Sequence, residues 1–447
     1  MKGLGYSAPT FLALLAAALG CFPRLTVPYA YAQTLRAPQP SPSPLSLAPG
    51  IVIDANNVEV YARYLPAAAQ SAVRHGLKIH VVPTKRLDWS AGFTQATEKY
   101  SSQVGLDKND YITNYVAGAP FPTVSLTDPK AAVKIAYNWH MGPFMPDDFS
   151  LEPWGSFAYS DAGAGGGIGP EDDYTFSCDR LDFLRFAHRT ELDPRPELSN
   201  NSEGFEWKAR CHQWTQNPME GIGEGAGIWL RFTDPRRPDE YYNLEPTARR
   251  LRREVSGDAT DENCRSCHQP YWAYALPKTE EFTYRLLGTA SLLACLTSTG
   301  EPAGLASKDP SFTLTEEPFE LRTAYIIEMT CNIPGYTNLR TIVYIDSEAY
   351  VWLAAEFFNQ NERTEIAFPL WHSHPSPSGG NLFDLTGEFY LPLVTASQTP
   401  NHPTGFGKPG YAKWFFRTLV PAHNPFVQKI NSGAIPEAIF NPQSMSR

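Results

Sequence analysis

Apolar and polar residues alternate along much of the second half of the chain. In residues 205–212 the apolar positions are Phe205, Trp207, Ala209 and Cys211, and those between them are Glu206, Lys208, Arg210 and His212. Residues 228–233 alternate in the same way. A period of two is typical of a β-strand, so we predict two strands, each with one apolar and one charged face. The same criteria predict strands at 240–245, 248–255, 282–294, 320–330, 340–346, 349–358, 363–369 and 386–395.

Short polar turns join the later strands, for example at 346–348 and 359–361. Because parallel strands need long crossovers, short turns favour an antiparallel meander. Large side chains such as Tyr344, Tyr350 and Phe357 occupy both faces of these strands. A sheet that is apolar on both faces must be covered on both or must line a cavity. A solid sandwich and a curved sheet with an apolar hollow both fit this pattern.

Short helices are predicted before the strand-rich region, at 58–65, from Pro66 to Gly76, and at 130–139. Residues 54–57 and Asp128 supply caps for the first and the last of them. A strand is predicted at 77–82. The predicted fold class is therefore mainly β, with a large curved antiparallel sheet or incomplete β-barrel and short helices covering one face.

The first 32 residues are predicted to be an export signal. Lys2 precedes an apolar stretch at 11–19, and residues 30–32 form an A-x-A cleavage site. An alternative is that Cys21 lies in a lipoprotein processing box and carries lipid. Residues 33–50 form a Pro/Ser-rich linker, and residues 51–447 form a single β-rich domain with N-terminal helices.

Net charge and cysteine content limit the possible functions. The 447-residue chain has a net charge of −10, which argues against nucleic-acid binding, since such proteins need a basic surface. Export predicts a periplasmic protein, and association with the outer membrane is compatible with this location. Removing the signal would leave six cysteines, an even number that suggests disulfides of undetermined pairing. These are Cys178, Cys211, Cys264, Cys267, Cys295 and Cys331.

The sharpest motif is C-x-x-C-H at Cys264, Cys267 and His268. This spacing is the attachment signature of c-type haem, in which two thioethers hold the porphyrin and the histidine binds iron. The favoured interpretation is that the same residues are structural cysteines beside an incidental histidine. Zinc is a third interpretation, but a second ligand pair at finger-like spacing is absent. We expect no cofactor, with haem c as the alternative.

Four arginines cluster near the middle of this acidic chain, at Arg249, Arg250, Arg252 and Arg253. They could bind anionic headgroups or an acidic envelope protein. Alternatively, they belong to an edge strand that carries charge to prevent aggregation.

Other candidate sites are weaker. The glycine-rich segment 163–169 matches no phosphate-binding motif. His372 and His374 lie in 371–380, which is a loop by composition, and have no third metal ligand at suitable spacing. His140 is interpreted as a satisfied buried histidine. G-x-S-x-G and H-E-x-x-H motifs are absent, so we predict no enzyme, no catalytic residue and no metal site.

Several stretches, taken in order, resemble a bacterial exported family of unknown function labelled outer-membrane lipoprotein-sorting-like. The stretches are 139–149, 234–242, 249–253, 284–288, 340–346 and 354–358. The resemblance covers roughly residues 51–400. It implies a fold similar to the LolA/LolB lipoprotein carriers, in which an incomplete barrel wraps an apolar cavity under short helices. It supplies no catalytic residues.

The predicted function is therefore that of a carrier for a lipid or another apolar molecule. Its cavity lining is predicted to include aromatic side chains of the strands, namely Trp229, Tyr284, Tyr325, Tyr344 and Trp352. A c-type haem electron-transfer protein and an envelope subunit that binds a partner through its arginines are the alternatives. Peripheral membrane contact is compatible with the first and the last of these.

Overall fold

The structure is a computed structural model, in which Leu47–Arg447 form one compact unit. The structure describes residues 47–74, 77–143, 146–152, 154–160, 174–178, 180–216, 225–245, 250–255, 278–298, 316–332, 340–359, 362–393, 411–416 and 427–446. The predicted signal and most of the predicted linker lie outside these residues. None of the helices in this part of the chain is long and apolar enough to cross a membrane.

The elements are short helices and many strands. The helices are α1 (Val58–Tyr61), α2 (Ala67–Arg74), α3 (Ala91–Tyr100) and α4 (Ala131–His140), and 3-10 turns follow at Glu437–Phe440 and Pro442–Ser446. The strands are β1 (Val52–Ile53), β2 (Lys78–Val81), β3 (Gly105–Leu106), β4 (Ile112–Thr113), β5 (Asp148–Glu152), β6 (Trp154–Ser160), β7 (Tyr174–Cys178), β8 (Leu181–Arg185), β9 (Phe205–Gln216), β10 (Gly225–Phe232), β11 (Glu240–Glu245), β12 (Arg250–Val255), β13 (Phe282–Ala294), β14 (Glu316–Cys331), β15 (Arg340–Asp346), β16 (Trp352–Asn359), β17 (Glu362–Pro375), β18 (Asn381–Pro392), β19 (Tyr411–Phe416) and β20 (Val427–Ile430).

Most strands join in one antiparallel sheet. Its order is β12–β11–β10–β9–β7–β6–β19–β18–β17–β16–β15–β14–β13. β9 also pairs with β8, which continues through β5 to β20. Among the described strands, β12 pairs only with β11 and β13 only with β14, so the sheet is open. The predicted fold class, a large open antiparallel sheet with few short helices, is confirmed.

The largest apolar cluster, called here the inner core, lies between α4 and the sheet. Ile135 and Trp139 of α4 belong to the same cluster as buried side chains of the strands, including Phe183 of β8 and Trp352 of β16. Asp128 stabilises the start of the helix, because its carboxylate accepts a hydrogen bond of 2.8 Å from Lys130 N. α4 therefore packs its apolar side chains into the largest cluster of the sheet.

Two further clusters cover other parts of the sheet. α1 and α2 pack through Val58, Ala69 and Val73 onto Phe319 of β14 and Phe368 of β17. Near the other end of the sheet, the C-terminal turns pack onto β9, β10 and β12. There Ile435, Phe440 and Met445 meet Ile228, Leu230 and Leu251. The sheet is thus covered on both faces, although by few helices.

Two expectations about particular segments were wrong. Residues 371–375, predicted as part of a loop, continue β17 and pair with β18, and only 376–380 form the turn. Prolines and serines suggested a loop, but antiparallel pairing with β18 holds the first half extended. The charged residues of β9 were expected to form a charged face, yet Glu206 and Lys208 are only 8 % and 9 % exposed. Other elements cover both faces of this strand.

Candidate functional site

The five aromatic residues predicted to line a cavity all belong to the inner core. Trp352 is fully buried within it, and the other four are partly buried and pack against it. Trp229 stacks on Tyr241 with ring centroids 4.8 Å apart. Tyr344 donates a hydrogen bond of 3.2 Å to Glu356. The structure therefore brings these residues to one cluster, which α4 fills, and their role as a ligand lining remains a prediction.

A cavity of about 190 Å³ lies at the C-terminal end of α4. Side chains from separate parts of the chain meet there. Ile112, Met141, Phe232 and Pro235 supply the apolar parts of its wall. The polar parts are Asn114, Tyr115, Tyr137, His140, His188, Glu206, Thr233, Lys278, Thr279 and Glu280. None of the five predicted aromatic residues belongs to this wall. A concave site with a few convergent polar groups is the usual form of a small-molecule site, so this cavity is the candidate site.

Glu206 and His140 form the centre of the cavity's polar wall. His140 Nε2 lies 3.5 Å from Glu206 Oε1, and both side chains are about nine-tenths buried. Burial alone would raise the pKa of Glu206, but the His140 imidazole and the positive charge of Arg231 outweigh it and hold the pKa at about 2. Glu206 is therefore a buried, ionised carboxylate at neutral pH.

His140 is buried, as expected, but it is not fully satisfied. Since the Glu206 carboxylate accepts a hydrogen bond from His140 Nε2, this nitrogen carries a proton. His140 Nδ1 is buried and has no hydrogen-bond partner among the described residues. The interpretation of His140 as a satisfied core histidine is therefore wrong for one of its two nitrogens.

His188 is held in an unusual backbone conformation beside the cavity. Its φ of +64° lies in the left-handed region, which a histidine adopts at some cost. His188 Nδ1 donates to Val116 O at 2.7 Å, so Nε2 carries the lone pair of the neutral ring. Burial lowers the pKa of His188, which favours that neutral form. The ring packs against Tyr115, with centroids 4.6 Å apart.

A buried ion cluster supports the far side of the wall. Asp239 lies 2.9 Å from Arg231 and 3.2 Å from the Lys278 ammonium group. The Arg231 guanidinium also lies 4.9 Å from the ring centroid of Trp207. Burial raises the pKa of the neighbouring Glu281 to about 7, although Arg231 and Lys278 oppose this. Charge is therefore concentrated in a region that little water can screen.

Sequence reasoning missed almost all of this site. Its residues come from the segments 112–115, 137–141 and 278–280, together with His188, Glu206 and the end of β10. No motif connects them. The available signal was the charge at alternate positions of β9 and β10, which was interpreted as a charged face and not as a buried one.

The C-x-x-C-H motif of Cys264, Cys267 and His268 lies outside the described residues, and so do Arg249 and residues 163–169. Haem, disulfide and zinc interpretations of the motif remain predictions. Among the other cysteines, Cys211 is disulfide-bonded, whereas Cys295 is a buried thiol whose pKa is raised by burial. In the described part of the chain, no three His, Cys, Asp or Glu side chains gather closely enough to hold a metal ion.

The described arginines of the basic cluster lie on β12. Arg250, Arg252 and Arg253 are exposed, and Arg253 forms an ion pair of 2.6 Å with Glu240. Since β12 is an edge among the described strands, charge here fits the protection of a sheet edge. Binding of an anionic partner by these residues remains a prediction.

Comparison with solved structures gives weak likenesses. A putative outer membrane lipoprotein-sorting protein domain from Vibrio parahaemolyticus is 10 % identical, with a TM-score of 0.42, covering 71 % of this chain and 98 % of that one. A DUF1329 family protein from Desulfovibrio piger is 12 % identical at the same TM-score, covering 71 % and 100 %. A LolA superfamily protein from Nitrosomonas europaea is 11 % identical, with a TM-score of 0.34, covering 69 % and 97 %.

Comparison at the level of sequence is more decisive. No curated protein matches the chain. The family described as protein of unknown function (DUF1329) matches residues 52–364, which is more than half of the chain. The family resemblance seen in the sequence is confirmed by this match. The chain belongs to the DUF1329 family.

Proposed function

We propose that the protein is an exported carrier that holds a lipid or another apolar molecule on the inner face of its sheet, in the periplasm or at the outer membrane. The main support for the proposal is that, in the described part of the chain, a single short helix covers this face of the sheet. Of the described helices, only the ten-residue α4 contributes side chains to the inner core. Movement of one short helix would therefore make a large apolar surface available to a guest.

Apolar and polar contacts both hold α4 on the side away from the inner core. Val133 and Tyr137 pack with Phe121 in a small apolar cluster. The polar bonds include Tyr137 Oη to Glu280 at 2.8 Å and Asn138 Nδ2 to Phe121 O at 2.7 Å. Each bond of this kind contributes about 1 kcal/mol, because water replaces it when it breaks. A guest that buries apolar area at roughly 25 cal/mol per Å² could offset their loss.

The edge of the inner core offers a first contact for a guest. Tyr284, Leu286 and Tyr325 are only partly buried and pack against the core. Leu286 lies beside the β-bulge of β13, where the register shifts before Gly288. Its neighbour Leu287 is 40 % exposed and is not part of the cluster. These two leucines provide a matched pair for a test.

Binding of 1-N-phenylnaphthylamine, measured by its fluorescence, tests the proposal. Leu286→Ser is expected to weaken dye binding by about tenfold, since it removes apolar contact area from the core edge. Leu287→Ser should leave dye binding unchanged within about twofold, since its side chain faces solvent. Organic extraction of the wild-type protein, followed by mass spectrometry, should yield a bound lipid. A wild-type protein that takes up no dye and yields no lipid would contradict the proposal.

A further inference from the structure

The tyrosine and lysine hydrogen-bond donors in the wall of the cavity at the end of α4 are already engaged. Tyr115 donates to Gly118 O at 2.8 Å, and Tyr137 donates to Glu280. Lys278 donates to Arg237 O and pairs with Asp239. The tyrosine and lysine donors of the wall therefore have protein acceptors.

The acceptors of the same wall have capacity left. An ionised carboxylate offers about four acceptor sites, and the His140 contact uses one of those on Glu206. Glu280 accepts from Tyr137 through one oxygen. His188 Nε2 holds a lone pair, because Nδ1 donates to Val116 O. A guest in this cavity is therefore expected to be a donor of hydrogen bonds.

Charge and ring chemistry favour the same kind of guest. Glu206 and Glu280 place two carboxylates in the wall, and the one lysine there is neutralised by Asp239. The rings of Tyr115 and Tyr137 also line the cavity, and aromatic faces attract cations. An anion would meet two carboxylates with no uncommitted lysine to receive it. A cation would be attracted both by the two carboxylates and by the two tyrosine rings.

The volume limits the size of the guest. Cavities of about 150 Å³ hold a molecule of the size of benzene, and this cavity measures about 190 Å³. A lipid chain is too large, whereas a compact amine fits. We propose that this cavity binds an organic ammonium group, whose N–H donors pair with Glu206, Glu280 and His188.

The wall of this site contains none of the half-buried residues of the inner-core edge, although α4 contributes to both sites through its two sides. The ammonium group could belong to a free amine or to the headgroup of a lipid. Both sources share the chemistry that the cavity recognises. The amine-binding experiment does not depend on dye uptake, so either proposal can fail alone.

Isothermal titration calorimetry with three probes of one shape tests the proposal. Phenethylamine carries the ammonium group, 2-phenylethanol replaces it by a hydroxyl, and phenylacetate carries a carboxylate. Near neutral pH the amine is expected to bind at least about tenfold more tightly than the alcohol, since its hydrogen bonds to carboxylates are charge-assisted. The carboxylate should not bind measurably.

Substitutions of the two glutamates in the wall test whether the amine binds in this cavity. Glu206→Gln and Glu280→Gln keep size and remove charge, and each is expected to weaken amine binding by about tenfold or more. Glu280 is partly exposed, so its variant remains informative if Glu206→Gln lowers stability. Glu328→Gln is the matched control, because Glu328 pairs with Arg285 and Arg340 and none of the three lines the cavity. Circular dichroism confirms folding of each variant.

Competition between phenethylamine and other compounds identifies the source of the ammonium group. Displacement of phenethylamine by lysophosphatidylethanolamine, but not by lysophosphatidylglycerol, assigns the ammonium to a lipid headgroup and supports the proposal. Displacement by ethanolamine alone assigns it to a free amine and also supports it. The proposal is overturned if the wild type does not bind phenethylamine, if phenylacetate binds more tightly, or if the folded glutamine variants bind the amine as the wild type does.

Discussion

The outer face of β13–β15 and the strand β10 each carry an arginine that pairs with a carboxylate, but the surroundings of the two arginines differ. On the first, Arg285 pairs with Glu328 at 2.9 Å and its side chain is 56 % exposed. On the second, Arg231 pairs with Asp239 at the same distance, with its side chain only 6 % exposed.

This difference shows that the alternation of residues along a strand sets which of them share a face of the sheet. It does not set whether other segments cover that face. Lys208 and Arg210 of β9 meet the C-terminal turns, where Lys208 lies 3.5 Å from Glu437 and Arg210 donates to Ser444 at 2.7 Å. Glu206 meets His140 of α4. Charges of β9 thus became buried because distant segments pack over them.

The largest expected effect is a difference in stability loss when the arginine of each ion pair is replaced. Arg231→Met should lower the free energy of unfolding by about 4 kcal/mol, because it leaves a carboxylate in a poorly solvated site with one partner fewer. Arg285→Met should lower it by less than about 1 kcal/mol, since the Arg285 side chain is exposed and Arg340 stays paired with Glu328 at 3.2 Å. Urea unfolding measures both. Equal losses would show that the surroundings of the pairs do not differ as described.

A second prediction concerns the ionisation of Glu206. Its pKa is about 2 in the folded protein against 4.5 as the ordinary value. A lowered carboxyl pKa stabilises the fold above the ordinary value, and this contribution is lost as pH falls toward 2. The advantage of wild type over Glu206→Gln should therefore shrink by about 3 kcal/mol between pH 5 and pH 2. Denaturation of both proteins across this range measures it, and a constant difference would contradict the assignment.

Glu281 should contribute a pH dependence of stability opposite in sign to that of Glu206. Its pKa is raised to about 7 from 4.5, so the folded protein binds a proton that the unfolded chain has lost between these values. Stability from this group therefore falls as pH rises from about 5 to 7. Glu281→Gln removes the dependence and should gain about 2 kcal/mol relative to wild type over that range. Thermal or urea unfolding at pH 5 and pH 7 tests this, with Glu328→Gln as the control.

The sequence predicted the strands of the second half well. The predictions at 240–245, 282–294 and 340–346 match β11, β13 and β15, because alternation and turn residues act over short distances. Other elements were missed. α3 has a Ser90 cap that accepts from Phe93 N, but its apolar pattern is weak, and β5 to β8 lie in segments without clear alternation. Their conformation depends on pairing with strands distant in sequence.

The candidate site could not be predicted in the same way. His140, His188, Glu206 and Glu280 are far apart in the chain and meet only in the folded protein, at the C-terminal end of α4. Their ionisation depends on burial and on each other's charges, which a linear pattern does not contain.

By itself, the sequence determined the mainly β class, the antiparallel order of the later strands and the membership of a family, since these follow from local periodicity, short turns and residue order. The tertiary structure alone decided which charged faces are buried and where a cavity forms. The physical reason is that burial depends on the segments that pack over a residue, and for β9 those segments are α4 and the C-terminal turns.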